Sequence, residues 1–549
     1  MERLYKKYVN ETIDENGMLK NITFNIPDTF NFGYDVVDEI ARRTPDKKAM
    51  VWLGQNKEER IFTFGDISRY SNMTANYFRA KGIRKGDKVM LVLKRRYEFW
   101  FCIVALHKLG AVTIPATHQL MKKDFVYRFK AAHVKAIVCT PNDGVCDEVD
   151  AACAEYDGMQ FKAVINVDRE GWDNFDKGIE SYPDTLELPQ EERPMASEDM
   201  LMYFTSGTTG YPKVATHNHK YAIGHIVTAV WWHNVDPEGI HFTISDTGWG
   251  KAVWGKLYGQ WLAEACVFTY DFDRFHADDI LPLFAKYKIT TFCAPPTMYR
   301  FFIKEDLSKY DLTSLKYCTI AGEALNPEVF KQFYNATGIK LMEGFGQTET
   351  TLTVANLIGM EPKPGSMGKP NPQYNVDIVD ENGNSVEAGV VGEIVLRTDK
   401  EQVGLFKSYY GDRSLTDEVW HDGLYHTGDT AWKDNDGYYW YIGRTDDIIK
   451  SSGYRIGPFE IESVIMEHPL VLEVAVTGVP DPVRGMVVKA TIVLVKGAEE
   501  SDELVKEIQT FVKEHTAPYK YPRIVEFVKE LPKTISGKIQ RAKLRGDEF

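Results

Sequence analysis

Between residues 89 and 139, short apolar runs alternate with longer helix-like segments, and few folds accept that rhythm. Val89-Met90-Leu91-Val92-Leu93 reads as a buried strand. Tyr97 to Leu109 reads as a helix stopped by Gly110, Ala111 to Ala116 as a strand, Lys123 to His133 as a helix and Ala136 to Cys139 as a third strand. Strand, helix and strand in repetition imply a parallel sheet covered by helices. A chain of 549 residues is too long for one core, so roughly two to four structural units are expected. The texture changes between 374 and 400. Val376 to Val379, the turn Asp380-Glu381-Asn382-Gly383 and Gly392 to Leu396 read as antiparallel strands with hairpin turns. A third, short region follows Ile442-Gly443-Arg444, with strand runs at Glu473 to Thr477 and Lys489 to Leu494 and a helix at Ser501 to Lys513. A domain boundary is placed near Asp446.

Composition narrows the function classes. The formal net charge is −14, whereas a general nucleic-acid binder is usually basic; any polyanionic ligand must be held by local cations. Seven cysteines without a Cys-x-x-Cys pair point to reduced thiols in a cytoplasmic compartment and to no structural zinc. The start, Met1-Glu2-Arg3-Leu4, has no apolar core of a secretory signal. The longest apolar run, Phe99 to Leu106, is far too short to span a bilayer.

The chemistry-bearing stretch is Thr205-Ser206-Gly207-Thr208-Thr209-Gly210-Tyr211-Pro212-Lys213, after the strand-like Met200 to Phe204. Hydroxyls, glycines and a lysine in one loop can aim N–H and O–H groups at a polyphosphate. This is not the common P-loop, because Pro212 precedes the lysine and Val214 follows it. Taken alone, such a loop is more often a plain surface turn. Four further segments stand out: Glu343-Gly344-Phe345-Gly346-Gln347-Thr348-Glu349-Thr350, Tyr425-His426-Thr427-Gly428-Asp429, the link Gly443 to Arg455, and Pro532-Lys533-Thr534-Ile535-Ser536-Gly537-Lys538. Singly, each also reads as a loop, a turn, a solvated linker or a basic tail.

Together and in this order, from about residue 30 to 545, they resemble the adenylate-forming superfamily, which holds acyl- and aryl-CoA synthetases, peptide-synthetase adenylation domains and firefly luciferase. The match is closer to the medium-chain acyl-CoA synthetases. Phe30-Asn31-Phe32, Ser245-Asp246-Thr247-Gly248-Trp249, Asp481-Pro482-Val483-Arg484-Gly485 and Ala517 to Arg523 support it. The resemblance implies an α/β fold. A large N-terminal domain, residues 1–445, would hold two helix-covered sheets and a distorted β-barrel. A small mobile α+β domain, residues 446–549, would pivot at Asp446. It implies ATP, Mg²⁺ and coenzyme A. A carboxylate attacks the α-phosphate of ATP, and the coenzyme A thiol then takes the acyl group.

Site residues follow from the same resemblance. Thr205, Ser206, Thr208, Thr209 and Lys213, with Gly207 and Gly210 between them, hold the β- and γ-phosphates. Thr348 contacts the α-phosphate and Glu349 binds the metal. Gly322, Glu323 and Ala324 line the adenine, and the run Glu343, Gly344, Phe345, Gly346, Gln347 belongs to the nucleotide site. Asp429 and Arg444 take the ribose. Lys538 bridges carboxylate and α-phosphate, a task for a point charge on a long stem. Ser452, Gly453, Tyr454, Arg484, Tyr521, Pro522 and Arg523 form the coenzyme A surface, and Arg455 meets the acyl or phosphate end.

For the acid, Trp249 is expected at the pocket and Trp261 in the core. Acetate enzymes carry tryptophan where this chain has Gly346, so glycine argues for short to medium, or branched, acids. Lys251 and Lys256 are read as solvent-facing. Alternatives are an acetyl- or propionyl-CoA synthetase, a free-standing protein loading an acyl carrier domain, a luciferase-type oxygenase and a non-catalytic nucleotide sensor; the last would be expected to lose Lys538 or Glu349. The expected partners are small molecules, with no nucleic acid and no membrane span. The oligomeric state, a homo-oligomer included, stays open.

Overall fold

Every residue of the helix Glu98–Leu109 is buried, Glu98, His107 and Lys108 included. A helix apolar on all sides needs partners on all sides, and here they are two sheets. In the computed structural model, which describes residues 2–205, 211–399, 401–452, 454–533 and 539–546, one core cluster takes Val89, Leu91, Ala136 and Met200 from the first sheet and Met50, Trp52 and Val267 from the second. The helices Phe64–Ala80, Glu98–Leu109, Gly250–Lys256 and Tyr258–Leu262 fill the space between them.

The first sheet has 8 strands, in spatial order Ser408–Tyr409, Lys213–Asn218, Asp199–Thr205, Val112–Pro115, Lys88–Val92, Val134–Cys139, Phe161–Val164 and Asp173–Asn174. The last six pair in parallel, and Lys213–Asn218 is antiparallel to both of its neighbours. The second sheet has 9 strands with a parallel centre: Leu341–Gly346, Tyr317–Ile320, Thr291–Ala294, Ile240–Thr243, Cys266–Tyr270 and Lys48–Leu53. Strand alternation sends Met90 and Val92 to the outer face under the helices Lys122–Ala132 and Val145–Cys153. Val51 and Leu53 go likewise under Ala277–Tyr287, Pro296–Phe302 and Pro327–Thr337. The layering is helix, sheet, helix, sheet, helix, so the strands read as unbroken apolar runs.

The strand and helix boundaries expected from 89 to 139 hold to within two residues. Gly110 caps its helix at φ 68°, left-handed backbone that glycine adopts without strain. The barrel-like unit is a five-stranded antiparallel sheet in which Val376–Val379 pairs Gly392–Arg397, then Leu424–Lys433, then Tyr439–Arg444. Beyond it lies a separate sheet, also of 5 strands. Its spine is the hairpin Val471–Asp481 with Gly485–Leu494, with Ile449–Ser451 and the parallel Ile524–Phe527 at the sides. Helices Pro458–Ile465 and Asp502–His515 cover it around its own core. The Ser501 hydroxyl caps the second helix by accepting from Leu504 N–H at 3.1 Å. Among the described residues, no helix is long and apolar enough to cross a membrane.

Trp100 is the test of the middle layer. It is fully buried and donates from Nε1 to Lys256 O at 2.8 Å. Trp100→Ala is expected to cost about 3–5 kcal/mol, read from denaturant unfolding of the large domain. A loss under about 1 kcal/mol would mean that the helix does not bridge the sheets.

Candidate functional site

Thr205 and Lys213 lie directly opposite each other across an antiparallel ladder. The two residues that flank the segment expected to cradle phosphate are therefore cross-strand neighbours. Ser206, Gly207, Thr208, Thr209 and Gly210 lie outside the described residues. On the return side Tyr127 stacks on Tyr211 with ring centroids 4.9 Å apart and donates its hydroxyl to Pro212 O at 2.8 Å. Lys213 rests its ammonium 5.1 Å from the ring centroid of Tyr409.

Strand period places Lys213, Ala215 and His217 on one face. The turn after Leu341–Gly346, residues 347–350, docks on that face. His217 Nε2 is 2.8 Å from Thr348 O. A carbonyl only accepts, so His217 carries its proton on Nε2. Burial pulls its pKa down to about 4, and the ring is neutral. Tyr409 pairs across from Ala215 and so shares the face. Its hydroxyl donates to Glu349 Oε1 at 2.8 Å, and Phe406 N–H donates to Glu349 O at 2.6 Å. Burial first, then the Glu349 carboxylate, push the Tyr409 phenol far up, so it stays a donor. One carboxylate beside the segment expected to hold polyphosphate fits Mg²⁺, which takes one or two protein carboxylates and fills its shell with water and phosphate oxygens. Among the described residues no group of three or more His, Cys, Asp or Glu could hold a metal unaided.

The antiparallel unit closes the third side. Asp429 and Arg444 are cross-strand partners. Tyr441 donates to Asp429 Oδ1 at 3.0 Å and Gln347 Nε2 to Asp429 Oδ2 at 2.5 Å. Gln347 also donates to Thr427 O at 2.8 Å and accepts from the Tyr425 hydroxyl at 2.8 Å. Arg444 donates to Thr427 O at 3.0 Å, with its charge 3.7 Å from Asp429 and 3.6 Å from Asp446. Phe345 lies 6.2 Å from Tyr441, ring to ring. Gly322, Glu323 and Ala324 follow the carboxyl end of Tyr317–Ile320, where open α/β sheets gather ligands. Gly322 has φ 111° and open space where a Cβ would stand. Exposed Glu323 accepts from Thr297 at 3.2 Å and lies 3.8 Å from Arg300.

Glu343 behaves differently from its neighbours in the motif. It is 4% exposed, accepts from Leu325 N–H at 3.2 Å, and among the described residues has no partner for Oε2. Burial pushes its pKa up to about 8, so the group is a neutral acid under the loop that carries Leu325.

Gly344 and Gly346 point to one face of their strand, and two indoles lie on it. A Cβ at 344 would sit 2.6 Å from Trp232, and one at 346 would sit 2.4 Å from Trp254 and 2.4 Å from Thr351 O. Gly346 was expected to open the acyl region. The space it vacates is instead taken by Trp254, carried by helix Gly250–Lys256, and a tryptophan at 346 would have to displace that indole. Trp249 is half-buried at the start of this helix, and Trp261 is core, donating to Ala49 O at 3.0 Å. The solvent-facing reading of Lys251 and Lys256 fails. Lys256 is buried, donates to Ser245 O at 2.8 Å, and burial with nearby Arg95 lowers its pKa to about 7. Lys251 is half-buried and donates to Ala321 O at 2.7 Å, tying the helix to the loop after Tyr317–Ile320, and burial lowers its pKa.

Asp446 is exposed in the turn between the antiparallel unit and the small sheet. Ser452 N–H donates to Arg484 O at 2.9 Å and Arg484 to Ser452 Oγ at 3.2 Å. Tyr454 stacks on Tyr519 at 4.0 Å. Arg523 donates to the Tyr521 hydroxyl at 3.0 Å and Pro522 O accepts from Gln509 at 3.0 Å. These partners all lie in the small domain. Arg455 instead pairs with Glu381 of the antiparallel unit. Gly453 and Lys538 lie outside the described residues. Sequence reasoning missed His217 and Tyr409. His217 was within reach, since period two from Lys213 puts it on the same face. Tyr409 was not, because its two-residue strand carries no pattern.

Comparison with known proteins bears on the family and the fold. Residues 37–410 match the family model of the AMP-binding enzyme, and residues 460–538 that of the AMP-binding enzyme C-terminal domain. The mitochondrial acyl-coenzyme A synthetase ACSM3 of Homo sapiens is 41% identical over 543 residues, covering 97% of this chain and 92% of its own. The crystal structure of the anthranilate CoA ligase AuaEII with anthranoyl-AMP superposes with TM-score 0.86 at 30% identity, covering 95% of this chain and 98% of its own. A benzoate CoA ligase from Burkholderia xenovorans LB400 gives TM-score 0.81 at 25% identity, covering 94% of this chain and all, 100%, of its own.

The buried Glu343 carries a pH signature. Its folded pKa stands above the ordinary 4.5, at about 8, so its favourable contribution is complete at low pH and is lost as pH rises through about 8. Glu343→Gln cannot ionise and keeps the acceptor for Leu325. The variant should melt higher than the parent at pH 9, by about 2 °C or more, with the gap closing toward pH 5. A gap independent of pH in thermal scans would assign Glu343 a normal pKa.

Proposed function

The chain belongs to the family of AMP-binding enzymes and is an AMP-forming acyl-CoA synthetase using ATP, Mg²⁺ and coenzyme A, and from that premise we propose which residues do which work and which acids enter. The observation that carries the assignment is the convergence of the Lys213 strand and the Asp429–Arg444 pair on the turn that bears Glu349, residues 347–350.

In the first half-reaction a substrate carboxylate oxygen bonds to the α-phosphorus of ATP and pyrophosphate leaves. Two anions must meet, so the residues' main task is to neutralise charge in fixed geometry. Thr205, Ser206, Thr208, Thr209 and Lys213 take the β- and γ-phosphates, Thr348 the α-phosphate, and Asp429 with Arg444 the ribose. Glu349 would hold Mg²⁺, which supplies charge neutralisation across phosphate oxygens. Lys538 takes the attacking carboxylate and the α-phosphate together. In the second half-reaction the thiol sulfur bonds to the acyl carbon, AMP leaves, and the thiol proton passes to solvent. Ser452, Gly453, Tyr454, Arg484 and Tyr521 to Arg523 receive coenzyme A, with arginines suited to its phosphates. The small domain, 446–549, turns about Asp446 between the two steps. In support, the paired strands change sheet across that residue.

The acid is short to medium in length, about three to eight carbons, branched chains included. Trp254 over Gly346 sets the depth, and Trp249 and Trp232 flank it. A cytoplasmic placement is supported by seven unpaired thiols; fractionation would separate it from the mitochondrial site of the named relative.

Lys538→Ala should abolish pyrophosphate release from ATP and acid while thioester formation from supplied acyl-AMP persists. Equal loss in both assays would remove Lys538 from the first step. Trp254→Ala should move the chain-length optimum upward. Each methylene newly accommodated is worth about 0.8 kcal/mol, or about fourfold in kcat/KM. Specificity constants across a saturated acid series decide it, and an unchanged optimum would place the wall elsewhere.

A further inference from the structure

Tyr409 stands between two groups of opposite charge that the reaction needs separately. It occupies the edge strand Ser408–Tyr409 of the first sheet, opposite Ala215. Its ring lies 5.1 Å under the Lys213 ammonium, and its hydroxyl donates to Glu349 Oε1 at 2.8 Å. The side chain is buried and well fixed. Tyr409 N–H donates to Thr416 Oγ1 at 3.0 Å, and the ring packs on Phe406 at 4.9 Å. Phe406 in turn fixes the backbone of Glu349 through its N–H at 2.6 Å.

An ammonium and a carboxylate on neighbouring segments attract strongly where water is scarce. Joined as an ion pair they would neutralise each other. The lysine would then be lost to phosphate and the carboxylate to a cation. Tyr409 gives each a different partner of its own. The π face takes the cation, and the hydroxyl takes one carboxylate oxygen in a charge-assisted bond. One rigid side chain thereby fixes the separation of the two groups and orients both.

We propose that Tyr409 is a positioning residue for the first half-reaction, which holds the Glu349 carboxylate ready for Mg²⁺ and the Lys213 ammonium ready for the ATP phosphates while keeping the two from pairing. The inference rests on the roles given above to Glu349 and Lys213. It predicts a division within Tyr409 itself, with the hydroxyl serving the metal and the ring serving the lysine.

Two substitutions separate these parts. Tyr409→Phe keeps the ring and removes only the hydroxyl. Calorimetric titration of the full-length protein with ATP, at a series of MgCl₂ concentrations and without acid, should show the Mg²⁺ needed for half-maximal enhancement of ATP binding rising about tenfold or more. ATP affinity without Mg²⁺ should stay within about twofold of the parent, since the ring still carries Lys213. Acyl-adenylate formation should be slow at low Mg²⁺ and recover at high Mg²⁺, while thioester formation from supplied acyl-AMP continues. Tyr409→Leu should add a severalfold loss of Mg²⁺-free ATP affinity. A parental Mg²⁺ curve for Tyr409→Phe overturns the proposal, as does an equal fall in both half-reactions with no rescue by Mg²⁺, which is what a merely structural residue would give. Glu349→Gln in the same titration tells the two failures apart. If it shifts the curve and Tyr409→Phe does not, the proposal alone falls. If neither shifts it, the metal role of Glu349 falls too.

Discussion

The docking of one turn on one strand face holds the site together. Residues 347–350 leave the second sheet and are fixed on the first by His217, through the Thr348 carbonyl, and by Tyr409, through the Glu349 carboxylate. The third unit reaches the same turn through Gln347, which ties Asp429, Thr427 and Tyr425. A turn held from three sides has little freedom left, and pre-organised donors and charges of this kind need not reorganise as reaction proceeds. The two sheets can be so joined only because the fully buried helix Glu98–Leu109 sets their spacing.

Charge is managed locally against the global balance. The chain is strongly acidic, yet Lys213 and Arg444 both stand beside the turn 347–350 and its partners. Around it the interior is kept neutral. His107, His217, His219, His225, His233 and His241 are all buried, with pKa values lowered chiefly by burial. Uncharged rings can hydrogen-bond without competing for phosphate, so the cations that face the ligand are those the backbone aims there.

Much of this was legible in the residues. The alternation from Val89 to Cys139 fixed the parallel sheet, because side-chain period and strand length act locally. Asp429 and Arg444 stood in recognisable motifs, and the structure brings them opposite each other. What was not legible was tertiary. Gly346 alone looks like an opening, and only the fold shows Trp254 lying on it from ninety-two positions upstream in the chain. Lys251 and Lys256 looked exposed because lysine seldom is buried, and carbonyl partners at Ala321 and Ser245 supplied the exception. Glu343 sits in a nucleotide motif, yet its side chain turns under the neighbouring loop, since alternate strand positions face opposite ways.

The arrangement of Gly344 and Gly346 under Trp232 and Trp254 has a bearing on how such a protein diverges. The strand that leads into the turn 347–350 has glycine at both positions that meet the indoles, and the bulk there is lent by helices from another part of the sequence. Under the roles proposed above, resizing Trp254 changes no residue assigned to ATP. On that proposal, drift at a few helical positions would retune the menu of acids while the residues assigned to ATP need not change.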